Sequence, residues 1–330
     1  MVRRAGFLAG AVLLLFFTRG LFAQGPLTPP AAPTPTMKTL DQVQPRTPVD
    51  STNTPGDGNN SFIISQPGSY YLAGNIGGVT GKHGISIQSD DVTLDLNGFI
   101  LGTTGSTTHN GIEIPNVQSN ITVCHGTVSK WKNGINGPTT THTRLENVRM
   151  TNNAANGCNL GVGTFVKGCL SVNNATNGIQ VHDNSSIIDC MSRVSGAVGF
   201  LANGNGTNIQ GCVADANTGI GISVGTGCAV TKSTAQFNQG GGIAAAAACT
   251  IAHCTVDQNS FYGITPGNSS TITNCTVTRS QLDGISNGFG AGDVVINSTL
   301  NSNGANGASL GQGCRVIGSM IAYNTRAASF

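Results

Sequence analysis

Charge is scarce in this 330-residue chain: Asp, Glu, Lys and Arg together supply 9% of it, against the usual quarter. The formal +2 belongs to the amino terminus. Taking Arg3, Arg4 and Arg19 from the 16 basic residues leaves 13 against 14 acidic ones. No basic stripe remains, which argues against a nucleic-acid surface. Aromatic residues are 5%, with Trp131 the single tryptophan, so platforms for stacking sugars are few. No CxxC pair occurs among the ten cysteines, which argues against zinc. No 12-residue stretch carries apolar residues at spacings of three and four, and leucine is sparse. Helical solenoids and leucine-rich horseshoes are therefore excluded.

The one long apolar run, Ala5 to Phe17, follows Arg3 and Arg4. It is too short to span a bilayer and reads as a signal peptide over 1–23. If it stays uncleaved, it is the chain's only route to a membrane. Residues 24–57 hold 8 of the 12 prolines and read as an extended linker.

What is abundant is Gly, at 47 residues, and it keeps time. Gly84, Gly111, Gly134, Gly157, Gly178, Gly199, Gly221, Gly242, Gly263, Gly284 and Gly307 recur mostly every 21 to 23 residues, and the next residue is usually Ile. A fixed period of this size means a solenoid whose units bury their apolar sides against one another. Nine residues before each Gly runs a column of Val148, Cys169, Cys190, Cys212, Ser233, Cys254, Cys275 and Ser298. Two residues later comes a column from Ser171 to Leu300, and the period of two marks both as inward strand positions. Four residues before each Gly stands Asn or Ser, from Asn153 to Asn324. Asn tolerates a left-handed bend and stacks into hydrogen-bond ladders. Three short strands per 21 to 23 residues fit a parallel β-helix. Eleven coils at roughly 4.8 Å make a rod of about 50 Å, with capping strands in 58–83 and the repeats in 84–330.

The phrases "NGIQVHDNSSIIDCMS", "GGIAAAAACTIAHCTVDQNSF" and "YGITPGNSSTITNCTVTRSQLDGI" resemble repeats of the pectin-lyase-like superfamily. That resemblance implies an all-β, single right-handed parallel β-helix solenoid. It also implies enzymes of acidic polysaccharides: calcium-dependent lyases with a basic proton acceptor, or hydrolases with sets of aspartates. The hydrolases' Asn-Thr-Asp and Arg-Ile-Lys phrases are missing from this chain.

Overlaying the coils gathers one charged outward face: Asp189, Arg193, Asp215, Lys232, His253 and Asp257. These are the candidate catalytic residues, with a solvated surface of weak ion pairs as the alternative. Asp90–Asp91 and His182–Asp183 read as bends. Trp131 reads either as a sugar contact or as a buried bend residue. The cysteines read as stacked free thiols, since neighbours in a file point the same way and a disulfide between them is strained. Minimal turns leave little wall for a cleft. The expectation is a secreted or surface-tethered rod, outside the cell or in the periplasm. It binds without turnover, its partner being polysaccharide or cell-envelope glycan. No cofactor and no metal is expected. The alternative is a polysaccharide lyase, hydrolase or epimerase, and calcium enters only with the lyase.

Overall fold

A computed structural model describes residues 45–104, 108–288 and 290–329. The leader, most of the linker and residues 105–107 lie outside the described residues. The body from Arg46 onward is all β, with no helix among the described residues. No helix there is long and apolar enough to cross a membrane.

Each coil contributes to three parallel sheets. The first sheet holds thirteen strands among the described residues, from Asn60–Ile64 to Arg326–Ser329, eleven of them at the glycines of the beat. Thirteen rungs enclose twelve turns and exceed the eleven beat glycines by two, because Asn60–Ile64 pairs in register with His83–Ile87 ahead of the first glycine and Arg326–Ser329 with Asn306–Ser309 after the last. Residues 60–83 are thus a full coil rather than a separate cap. Residues 46–57, placed by composition in the linker, carry the strand Thr47–Pro48, which pairs with Gly68–Tyr71. They also bury Val49 and Thr54. At the other end Arg326–Ser329 adds one more parallel rung rather than folding across the last coil.

The second sheet runs from Thr47–Pro48 through Phe165–Lys167 to Arg315–Ile317, and the third from Ile76–Gly77 through Leu170–Val172 to Met320–Ala322. In two early coils the second and third sheets are crossed by single eight-residue strands, Thr122–Ser129 and Arg144–Thr151. Elsewhere a corner separates them.

The glycine beat has a steric cause. A Cβ on Gly111, Gly178 or Gly242 would lie 2.6–2.7 Å from the carbonyl oxygen of the glycine one coil later, inside van der Waals contact. Only hydrogen lets successive backbones approach so closely there.

The corners share one device. A residue in the left-handed region turns the chain, and the next residue points inward. At the corner between second and third sheets the turning residues include Gly168, Asp189, Gly211, Lys232, His253 and Asn274. The inward ones are the Cys/Ser column. Each inward group donates to the carbonyl two residues back and accepts the backbone N–H of its counterpart one coil earlier. Cys190 Sγ donates to the Ile188 carbonyl (3.2 Å) and accepts from the Cys169 N–H (3.4 Å). Ser233 Oγ does the same with the Thr231 carbonyl (2.9 Å) and the Cys212 N–H (3.1 Å). Cys and Ser alternate there because both satisfy a buried backbone donor, as well as being small. All ten cysteines are free. Burial pushes the Cys158 thiol up to about 12 and also raises Cys228 and Cys249.

The corner leading back to the first sheet carries the Asn ladder. Asn238 Oδ1 accepts from the backbone N–H (3.0 Å) and Nδ2 (2.9 Å) of Asn217. Its own Nδ2 donates to Asn259 Oδ1 (2.9 Å) and the Ala214 carbonyl (3.2 Å). The left-handed residue is not the ladder Asn, as its residue type suggested, but the one before it: Asn152, Asn173, Val194, Ala216, Phe237. The Asn itself points inward and is buried.

Candidate functional site

A set of paired charged side chains lies on the outer face of the second sheet in the early coils. Tyr71, Asp95, Cys124, Glu146 and Lys167 stand in one register column, a rung apart. Arg144 and Phe165 occupy the next outward column. Arg46, just before the first strand, reaches Asp95 Oδ2 at 2.7 Å and lies 5.0 Å from the Tyr71 ring centroid. Arg144 donates to Glu146 Oε1 at 2.6 Å and stacks 4.8 Å from the Phe165 centroid. Burial, with the negative charges of Asp95 and Glu146 beside it, pushes the Cys124 thiol up to about 11. His125 stands at the edge of the column, its Nδ1 3.3 Å from Asp95 Oδ1. A shallow hollow of about 350 Å³ opens beside it, lined by Gly98, His125, Gly126, Thr127, Asn147 and Arg149. A second hollow, of about 470 Å³, lies against Gly77, Ile100, Gly102, Ser129 and Lys130. Both are open surfaces rather than enclosed cavities.

The six residues gathered from the coil overlay fall into two rows on opposite edges of the third sheet. Arg193, Asp215 and Asp257 are outward neighbours on successive rungs, with Gln236 between the two aspartates. Arg193 Nε meets Asp215 Oδ2 at 2.9 Å. Asp257 is held by Arg279 and by Thr278 Oγ1 at 2.7 Å. Burial pulls the Asp257 carboxyl upward, but these hydrogen bonds outweigh it and hold the group below the usual carboxylate range. Asp189, Lys232 and His253 form the other row, at the corner. All three have positive φ, of 53°, 51° and 56°. The corner itself and the three-residue strand after it, as in Met191–Arg193, separate this row from the first. The structure therefore brings the two aspartates to arginines and does not bring Lys232 or His253 to either. Asp189 lies over the bare Cα of Gly211 one coil later.

The remaining sequence candidates are structural. Asp90 accepts the Ser119 N–H at 2.7 Å and Asp91 has φ 56°, so the pair serves a bend. Asp183 accepts the Asn205 N–H and His182 Nδ1 contacts the Leu160 carbonyl at 2.9 Å. Trp131 is 1% exposed, and its indole N–H donates to the Leu101 carbonyl at 3.1 Å. It ends the Asn ladder inside the coil and is no sugar platform.

The early column escaped the sequence overlay for a definite reason. Asp95, Cys124 and Glu146 stand 16, 10 and 11 residues before the next beat glycine. Counting back from the glycines therefore cannot align them. The signal that remained was the neighbouring pair Cys124–His125.

The family model described as the right handed beta helix region matches residues 133–277, where the beat is most regular. Right-handed winding is also what parallel crossovers adopt almost without exception. The fold of the described residues is a right-handed parallel β-helix. This β-helix is similar to the catalytic unit of a thermostable GH87 α-1,3-glucanase from Streptomyces thermodiastaticus strain HF3-3. The TM-score is 0.55 at 14% identity, over 86% of this chain and 63% of that one. It thus spans under two thirds of the glucanase unit. It is likewise similar to the A-module of the Azotobacter vinelandii mannuronan C-5 epimerase AlgE6, with a TM-score of 0.55 at 11% identity over 80% of this chain and 87% of that one. At these identities the likeness is one of fold, the pectin-lyase-like fold. No curated protein matches the sequence.

Proposed function

We propose that this β-helix binds an extracellular polysaccharide that bears carboxylates, with the early column of the second sheet as its contact surface. The observation that carries the reading is that column. Arg46, Arg144, Arg149 and Lys167 gather there against Asp95 and Glu146, in a chain otherwise poor in charge. Guanidinium groups pair with carboxylates in a bidentate fork. Arg144 over Phe165 and Arg46 over Tyr71 are held in place by their rings, so less side-chain freedom is lost on binding. The open hollows suit a polymer lying along the surface better than a small molecule enclosed by it. One fold relative is named for mannuronan, a polysaccharide. Export by the leader places the protein where such polymers are.

Affinity electrophoresis in gels containing polymannuronate, polygalacturonate or a neutral glucan tests the reading. The uronate polymers should retard the protein and the neutral glucan should not. The double variant Arg144→Ala/Lys167→Ala should weaken retention about tenfold or more, since charge-assisted hydrogen bonds are worth about 1.5–3 kcal/mol each. Equal retardation by all three gels, or by none, overturns it.

One observation favours a second reading, turnover of the same polymer. Asp95 and Glu146 stand two rungs apart, about 10 Å between backbones, close to the spacing of two carboxylates that act across a water. Against it, each carboxylate is already engaged by an arginine. Reducing-end and unsaturated-product assays on the same polymers decide between the readings.

A further inference from the structure

We propose that Asp95, Cys124 and His125 form a site for a thiophilic divalent cation of the zinc class, on the outer face of the second sheet. Adjacent strand residues normally point to opposite faces, so Cys124 and His125 have no reason to share an ion. His125 breaks that rule. Its φ of 54° turns the imidazole to the side that Cys124 faces, and Asp95 comes into register with Cys124 from the coil before. One ligand atom from each of the three lies within 4.8 Å of the other two.

The oxygen-to-nitrogen distance fits such an ion. Two ligand atoms each about 2.0 Å from a tetrahedral zinc stand about 3.3 Å apart. Asp95 Oδ1 and His125 Nδ1 are 3.3 Å apart. Asp95 is fixed by its other contacts: Arg46 holds Oδ2 at 2.7 Å, and the Asn97 N–H donates to Oδ1 at 2.8 Å. Such outer partners orient a metal-bound carboxylate. The donor set of one sulfur, one nitrogen and one oxygen selects a borderline-soft cation and excludes calcium and magnesium, which take oxygen ligands. Three protein ligands leave a fourth position, and the exposed imidazole opens it toward the hollow beside Arg149. On binding, the Cys124 S–H bond breaks, a sulfur–metal bond forms and the proton leaves to solvent. No oxidant or reductant takes part. The site does not depend on the polysaccharide reading.

Cobalt(II) titrated into the metal-free full chain tests the site. One equivalent should bind, with a thiolate-to-cobalt charge-transfer band in the near ultraviolet and the intense visible bands of a four-coordinate ion. Zinc should bleach both. Cys124→Ser should remove the near-ultraviolet band while the other nine cysteines remain. His125→Asn, which keeps a residue tolerant of positive φ, should weaken cobalt binding at least tenfold with an unchanged far-ultraviolet dichroism spectrum. A wild-type spectrum without the charge-transfer band, or one that survives Cys124→Ser, overturns the proposal.

Discussion

A single left-handed residue at each corner decides where this chain bends, and several occupants are poor choices for it. Asn152 and Asn173 suit the conformation, whereas Val194, in the same corner file, is β-branched and held at φ 54°. Left-handed backbone costs such a residue about 1–2 kcal/mol, and Val194 is exposed, so little packing offsets it. Val194→Asn should stabilise the protein by about 1 kcal/mol, read as a higher urea midpoint; an unchanged or lower midpoint would show that the strain is absorbed elsewhere. The glycine file predicts the opposite sign. At Gly178 a new Cβ meets Gly199 O at 2.6 Å and the Ser192 hydroxyl, while at Gly58 nothing lies within 4 Å. Gly178→Ala should destabilise by about 1–3 kcal/mol, the cost of overpacking, and Gly58→Ala should stay within about 0.5 kcal/mol. The thiols make a third prediction at this scale. Only Cys314 is more than marginally exposed, and thiolate is the reactive form. A chromogenic disulfide reagent should label at most Cys314 promptly in the native protein, and ten thiols after unfolding. Prompt labelling of several native thiols would mean that the files are not closed.

At the scale of the element, the Asn ladder does what a sheet cannot do at a corner: it satisfies backbone groups where the chain leaves the strand. Asn238→Ala removes an acceptor for two donors on Asn217 and two donated bonds. Leaving buried partners unsatisfied costs about 1–3 kcal/mol apiece, so the loss should exceed about 2 kcal/mol. Asn238→Ser should cost less, because Ser195 and Ser280 already occupy the same file; equal losses for both would assign the effect to volume instead. This ladder was legible in the sequence because inward residues obey the coil period: each must meet its counterpart one coil away. The Cys/Ser file was legible for the same reason, although its hydrogen-bonding role was not, since size and acceptor capacity select the same two residues. A second ladder, in which Asn133, Asn156 and Asn177 each donate a backbone N–H to the Asn one coil earlier, hid because it fades into Val198 and Ile220. Outward residues carry no such constraint. The Asp189 to Asp257 face was assembled from offsets alone, and offsets do not say that a corner lies between Asp189 and Arg193. The Asp95–Cys124–Glu146 column was invisible for the converse reason: its coils differ in length, and only hydrogen-bond register aligns them.

For the whole molecule, the consequence of stacked files is that a coil is a removable part. Deleting residues 222–242 joins Gly221 to Ile243 and shifts every later residue by one full coil. Cys254 then takes the place of Ser233 below Cys212, Asn259 that of Asn238 below Asn217, and Ala248 that of Gly227 at a corner both occupy with positive φ. Each replacement already makes the bonds its new neighbours require, as Asn259 does toward Asn238. Solenoid stability is a sum of coil terms and nearest-neighbour interfaces, so removing one coil subtracts one of each and leaves the rest intact. The shortened protein should keep a cooperative urea transition, with an m-value lower by about one part in twelve, in proportion to surface buried. Deleting 222–232 instead puts file residues at outward positions and turns corners into strands, so the coils beyond the junction should lose their protection from hydrogen exchange. If the full-coil deletion also fails to fold, the coils are not interchangeable, and the differences among them, rather than their common register, hold the protein together.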